Sequence, residues 1–266
     1  MRRLLLKAVL AFAFLLFTYP LASAQTDHPV ASPLTTQVTL DGRYTTASEW
    51  TDTSEFPIEV GVRGVVAYFS VKYDAASMYS IWDFVECQKM FPGNQSNGYY
   101  PNQVVMYLDP LSKQTSNSVD PSMYRIDVFT GSVPTGTVRV SKGTNSGGWA
   151  DWDSSNVGIS NRVQYVSSSH SSVSHMILEL KIPLTFATLK AQIPGKIGIG
   201  IEFSDYWTEV HANYPSSWGW KDPSSWGTLD FASAPIPEFS FTSVSLILSV
   251  LSVAVLFRLR KRSVLS

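Results

Sequence analysis

Cysteine is almost missing from this sequence: Cys87 is the only one in 266 residues. A single thiol cannot build an intrachain disulfide framework or a cysteine-rich zinc site, and its place after an aromatic run suits a buried, inert side chain. Charge is also scarce, at 15% of residues. Seven of the 20 basic residues crowd into the two ends, Arg2, Arg3 and Lys7 in 1–24 and Arg258, Arg260, Lys261 and Arg262 in 240–266, with no acid beside them. Residues 25–239 are left with 13 basic against 21 acidic residues, a net charge of −8. That balance excludes nucleic acid, whose phosphates need a basic face. No Gly-rich phosphate loop, no Gly-x-Ser-x-Gly elbow and no Cys–His arrangement occurs. The four histidines, His28, His170, His175 and His211, lack zinc spacing and are each expected as satisfied surface residues. No carboxylate pair stands out, so the chain is expected not to be an enzyme.

Long apolar runs are confined to the ends. Arg2-Arg3 and Lys7, the run Ala8 to Phe17, and Ala22-Ser23-Ala24 read as a secretory signal over 1–24, cleaved after Ala24. At the other end, 19 uncharged residues from Phe239 to Phe257 are long enough to cross a bilayer as a helix. The basic cluster at 258–266 then marks the cytoplasmic side. The body is expected to be exported, on the outer face of the cytoplasmic membrane, and held by a helix over 240–257. Pro237-Glu238-Phe239, the apolar helix and the basic cluster together resemble the PEF-type sorting signals of archaeal surface proteins. That resemblance implies processing by an archaeosortase near the motif and transfer to a lipid.

Between the ends the pattern has period two. Met176, Leu178, Leu180 and Ile182 share one strand face with Glu179 and Lys181 opposite, and Ile197, Ile199, Ile201 and Phe203 form a second stripe. These predict two neighbouring core strands. Val65 to Tyr73, Met78 to Phe84, Gln103 to Leu108, Tyr124 to Phe129 and Thr137 to Val140 are further short β-rich runs. Only Leu184 to Ala191 offers a helical turn. Many short strands without intervening helices mean an antiparallel sandwich or barrel. The expected layout is a polar linker at 25–36, one all-β domain at 37–233 and a linker at 234–239.

Several motifs occur in a fixed order: Val38-Thr-Leu-Asp-Gly with Glu49-Trp50, Ala67 to Asp74 with Met78 to Asp83, Val104 to Asp109, Leu178 to Pro183, Gly198 to Asp205, and Pro223 to Leu229. Together they resemble family 9 carbohydrate-binding modules and related DOMON-like domains. The resemblance implies a jelly-roll-like β-sandwich, a non-catalytic glycan-binding role and structural calcium. Some DOMON-like domains instead hold haem b through methionine, which brings in Met78, Met106, Met123 and Met176; their expected role here is core packing. A structural envelope component is the remaining alternative.

The residues themselves point the same way. Asp205 to Trp226 carries Trp207, Trp218, Trp220 and Trp226 among prolines, glycines and serines. Flat rings beside polar groups grip a sugar by covering its C–H face. Trp207, Trp218 and Trp220 are therefore candidate sugar contacts, with Trp149 and Trp152 beside Asp151 as a second, smaller set; the alternative is that the loop folds back and its tryptophans seal the sandwich edge. Trp50, Trp82 and Trp226 are expected to pack in the core or at its rim. Asp151, Asp153 and Asn156, read as part of a Gly/Ser/Asn loop, are the candidate calcium ligands, although the EF-hand spacing fails. Asn94 in Asn-Gln-Ser is the glycosylation candidate.

Overall fold

A computed structural model of the chain describes residues 29–46, 48–60, 63–89, 102–112, 117–131, 133–152, 157–206, 210–216 and 219–231. The signal segment, Asn94, Pro237, Glu238, Phe239, the apolar stretch at 240–257 and the basic tail lie outside them. Among the described residues, no helix is long and apolar enough to cross a membrane.

The described chain is nearly all β: β1 (Val30–Pro33), β2 (Glu55–Glu59), β3 (Val65–Tyr73), β4 (Ser77–Phe84), β5 (Gln103–Asp109), β6 (Tyr124–Phe129), β7 (Thr137–Gly143), β8 (Trp149–Trp152), β9 (Ser160–Val166), β10 (His175–Pro183), β11 (Gly195–Asp205), β12 (Val210–Tyr214) and β13 (Gly227–Phe231). The strands form one curled sheet in the order β8-β7-β6-β5-β11-β13-β1-β3-β4-β10-β9, with β12 on β11 and β2 on β3. The curl brings its two halves face to face, as in a β-sandwich. Phe84 of β4 stacks on Phe203 of β11 with ring centroids 4.1 Å apart, and Tyr73 meets Phe231 edge-on at 5.5 Å.

Alternation explains the interior. Val104, Met106 and Leu108 of β5, Ile126 and Val128 of β6, and Ile197, Ile199, Ile201 and Phe203 of β11 point inward from one half. Phe69 and Val71 of β3, Trp82 and Phe84 of β4, and Leu178 and Leu180 of β10 meet them from the other. All are buried, as the stripes predict, but β10 and β11 are not neighbours. β10 pairs with β4 and β9, β11 with β5, β12 and β13, and the two belong to opposite halves of the sheet. Shared hydrophobic periodicity says that two strands face one core, not that they share a ladder.

One further expectation changes. Val30–Pro33, expected in the linker, is β1, which runs parallel to both β13 and β3 and so closes the curl. Ala31 is buried there and Pro33 sits at the strand end, where a missing N–H costs least. The opening Val38-Thr-Leu-Asp-Gly is not a strand. It lies over the outer face of β4 and β10, packing Val38 and Trp50 on Ile81 and Ile177. Glu49 fastens this covering by accepting from the Thr39 and Thr45 N–H groups at 2.6 and 2.9 Å. Glu179 Oε2 accepts from Asp41 and Gly42, each at 2.7 Å. Gly42 has φ +80°, and a Cβ there would lie 2.9 Å from Gln164 Cγ, so the turn requires glycine. The expected helical turn is present as a 3-10 segment, Phe186–Gln192.

Candidate functional site

The opposite half of the sheet leaves its outer face partly open. Arg125 and Asp127 of β6, Arg139 and Ser141 of β7, and Trp149 and Asp151 of β8 share one face and project outward on adjacent strands. Above them folds the segment 219–226. Asp222 caps the short 3-10 turn Pro223–Ser225 by accepting from the Ser224 N–H at 3.2 Å. Ser225 Oγ accepts from the Gly219 N–H at 2.7 Å, and Trp226 Nε1 donates to the Gly219 carbonyl at 3.1 Å. This pins Trp226 against Val105, Tyr107, Val119 and Met123, a small second core on the outside of the sheet.

Trp149 lies parallel to Trp226, with interplanar angle 7° and centroids 6.4 Å apart, and its Nε1 donates to the Trp220 carbonyl at 3.4 Å. Trp220 is 46% exposed. Between these rings and the strands lies an open cleft of about 360 Å³, lined by Arg125, Asp127, Arg139, Ser141, Trp149, Asp151, Trp220 and Lys221 among others.

The charges are paired. Arg125 donates through Nε at 3.1 Å and Nη2 at 2.5 Å to Asp127 Oδ1, and Gln103 reaches the same oxygen at 2.5 Å. Arg139 donates through Nε at 2.9 Å and through Nη2 to Asp151 Oδ1. Burial raises the Asp127 carboxyl above its ordinary value despite Arg125. Burial alone would lower the Arg125 guanidinium, but Tyr107 and Asp127 beside it hold it raised and charged. Burial pushes the Tyr107 phenol far up, so it remains a donor, directed to Glu202 at 3.2 Å.

The two tryptophan sets of the sequence are thus rearranged. Trp149 and Trp220, 71 residues apart, join in one cleft. Trp152 does not: one residue beyond Asp151, the pleat turns it to the other face, onto Tyr124 and Phe186. Trp207 and Trp218 lie outside the described residues. Trp50, Trp82 and Trp226 are buried, as expected. Asp151 sits on β8 rather than in a loop and is engaged by Arg139, while Asp153 and Asn156 are outside the described residues. Among the described residues no three His, Cys, Asp or Glu side chains are grouped to hold a metal. Met78, Met106 and Met176 are buried in the main core and Met123 beneath Trp226. Arg125, Asp127, Arg139 and Ser141 were missed, although the outward positions of Tyr124-Arg-Ile-Asp-Val-Phe129 and Thr137-Val-Arg-Val-Ser141 carry them.

The histidines depart most from expectation. His175 is not at the surface: it is fully buried, with Nε2 on Asp83 Oδ1 and Nδ1 2.7 Å from the Val173 carbonyl. Asp83 Oδ2 lies 2.7 Å from His170 Nδ1, and His170 Nε2 lies 3.0 Å from Glu55. Tyr68 stacks on the His170 ring at 3.8 Å. Serine-rich sequence hides this arrangement because its partners come from β2, β3 and β4.

No known family's sequence profile matches the chain, and no curated protein matches it by sequence. Solved structures do resemble it. A family 9 carbohydrate-binding module from Caldicellulosiruptor kristjanssonii, solved with cellotriose, superposes with TM-score 0.52 at 14% identity, over 79% of this chain and 96% of that one. A candidate carbohydrate-binding protein from Bacteroides uniformis gives TM-score 0.50 at 10% identity, over 76% and 98%. At such identities the likeness establishes the shared fold.

Proposed function

We propose that this protein is a non-catalytic glycan-binding module, exported and held at the outer face of the membrane by its C-terminal apolar helix. The observation that carries the reading is the cleft in which Trp149 and half-exposed Trp220 meet over a floor of polar strand residues. A pyranose presents an apolar C–H face to such a ring and hydroxyls to the groups around it. Both carboxylates of the cleft are committed to arginines, which suits holding a ligand better than exchanging protons with it. The fold shared with a module solved on cellotriose supports the reading, as does the order of sequence motifs.

An open cleft of this size covers one or two sugar rings, so affinity should be modest, roughly micromolar to millimolar. The test is a glycan array probed with the full chain in a sugar-free detergent. Retention by at least one class of saccharide is expected. Failure to bind any, with millimolar titrations also flat, would remove the proposal.

A further inference from the structure

We infer that the ligand of this cleft is an acidic saccharide, one whose sugar rings carry carboxylates; this rests on the glycan-binding reading above. The body around the cleft is acidic, with a net charge of −8 over 25–239, yet the cleft is lined by three cations, Arg125, Arg139 and Lys221, against two carboxylates, Asp127 and Asp151. Each arginine spends its Nε and Nη2 hydrogens on one oxygen of one carboxylate. Neither Nη1 meets an acceptor among the described residues, so each guanidinium keeps donors for a ligand. A planar guanidinium with free N–H groups is the side chain that matches a carboxylate geometrically. The Arg139–Asp151 pair is open to solvent, with side chains 56% and 69% exposed, and such a pair exchanges partners at little cost.

Lys221 adds a second reason. Its Nζ sits 4.3 Å from the centroid of the Trp220 ring. The ammonium thus lies close to the exposed ring, beside any sugar that stacks there. A neutral sugar can offer that ammonium only hydroxyl and ether oxygens. A sugar with a carboxylate pairs with the ammonium as it stacks. Apart from Ser141, the polar side chains lining the cleft are all charged, whereas a site for neutral hydroxyls alone would need no cationic excess.

The experiment compares three probes on the full chain by titration calorimetry: trigalacturonate, its fully methyl-esterified form, and cellotriose. Esterification removes the charge and keeps the rings. At low salt the acid should bind about tenfold or more tightly than the ester, and the gap should close towards parity at ~1 M NaCl, where the screening length falls to ~3 Å. Arg139→Gln and Lys221→Gln should each weaken the acid and narrow its advantage over the ester; both side chains are exposed, so the fold is kept. If ester or cellotriose binds as well as the acid, the charge inference is overturned and the glycan reading stands. A sulfated trisaccharide that binds while trigalacturonate does not would also overturn it, because the anion would then be a sulfate ester. If no saccharide binds, the glycan reading itself falls.

Discussion

Glu179 is sealed beneath the Asp41–Gly42 turn, where its Oε2 receives two backbone N–H groups and its Oε1 meets no donor among the described residues. Burial, opposed by those two N–H groups and reinforced by Glu49 and Asp41, pushes its carboxyl up to about 8. A carboxyl whose folded value is raised holds its proton more tightly in the folded state, so its contribution to stability declines as pH rises from ~4.3 towards 8. Glu179→Gln keeps the oxygen that accepts from the turn and removes the titration. The variant should melt a few degrees higher than the parent at pH 8 and nearly level with it at pH 4. Equal melting at both values would show that Glu179 is not held protonated. Alternation alone places this residue with Lys181 on a solvent face. What it cannot show is that a loop 138 residues away in sequence folds over that face and turns a surface charge into a buried cap.

Strands β2, β4 and β10 and the turn before β10 are stapled on this same outer face by Glu55, His170, Asp83 and His175. Both ring nitrogens of His175 face acceptors, which is the setting of a charged imidazolium. Burial opposes that charge, but the hydrogen bonds to Asp83 and the Val173 carbonyl, with the Asp83 charge, leave its value raised. Burial would raise Asp83, and hydrogen bonds from His175, Ser168 and His170 lower it instead. Tyr44, Tyr68 and Glu55 are the other titratable groups around them. The stability owed to His175 is fully present below ~6.5 and is lost as pH rises through its raised folded value. That owed to Asp83 is present above ~3.9 and is lost as pH falls through its lowered value. Thermal melts in the Glu179→Gln background, which removes the other alkaline decline, should fall above pH 7. Adding His175→Gln should flatten that limb. Breaking a buried pair costs ~3–5 kcal/mol, so it should also lower the melting temperature at pH 6 by on the order of 10 °C. An unchanged alkaline limb would mean the imidazole is neutral. At this scale legibility follows the neighbours. β3 and β6 run over the residues that their β-rich patterns mark, because a strand with one face in the core writes that face as alternation. β1, β8 and β12 were hidden, since Val30–Pro33 is only four residues, and Trp149–Trp152 and Val210–Tyr214 sit in turn-rich aromatic sequence at sheet edges or on part of one neighbour.

The curled sheet as a whole has two unlike exteriors, one roofed by the 38–50 loop and the histidine staple, the other holding the tryptophan cleft. The all-β class and the buried stripes could be read from sequence, since burial in one core imposes the period. The cleft could be read only in pieces, because Trp149 and Trp220 come together through strand pairing that no local pattern records. For the molecule in its cell, the apolar ends predict that residues 25–236 face outward. Protease shaving of intact cells should remove them, and protection equal to that of a cytosolic control would refute the orientation. The most direct test of the central claim is the affinity of Trp220→Ala for whichever oligosaccharide the parent protein binds best, measured by calorimetry beside its melting temperature. Trp220 is 46% exposed and belongs to none of the buried clusters, so its loss should leave the protein folded. If its ring stacks on the sugar, affinity should drop about tenfold or more, a loss of at least ~1.4 kcal/mol. An oligosaccharide that binds Trp220→Ala as tightly as the parent would show that the cleft is not where the glycan sits.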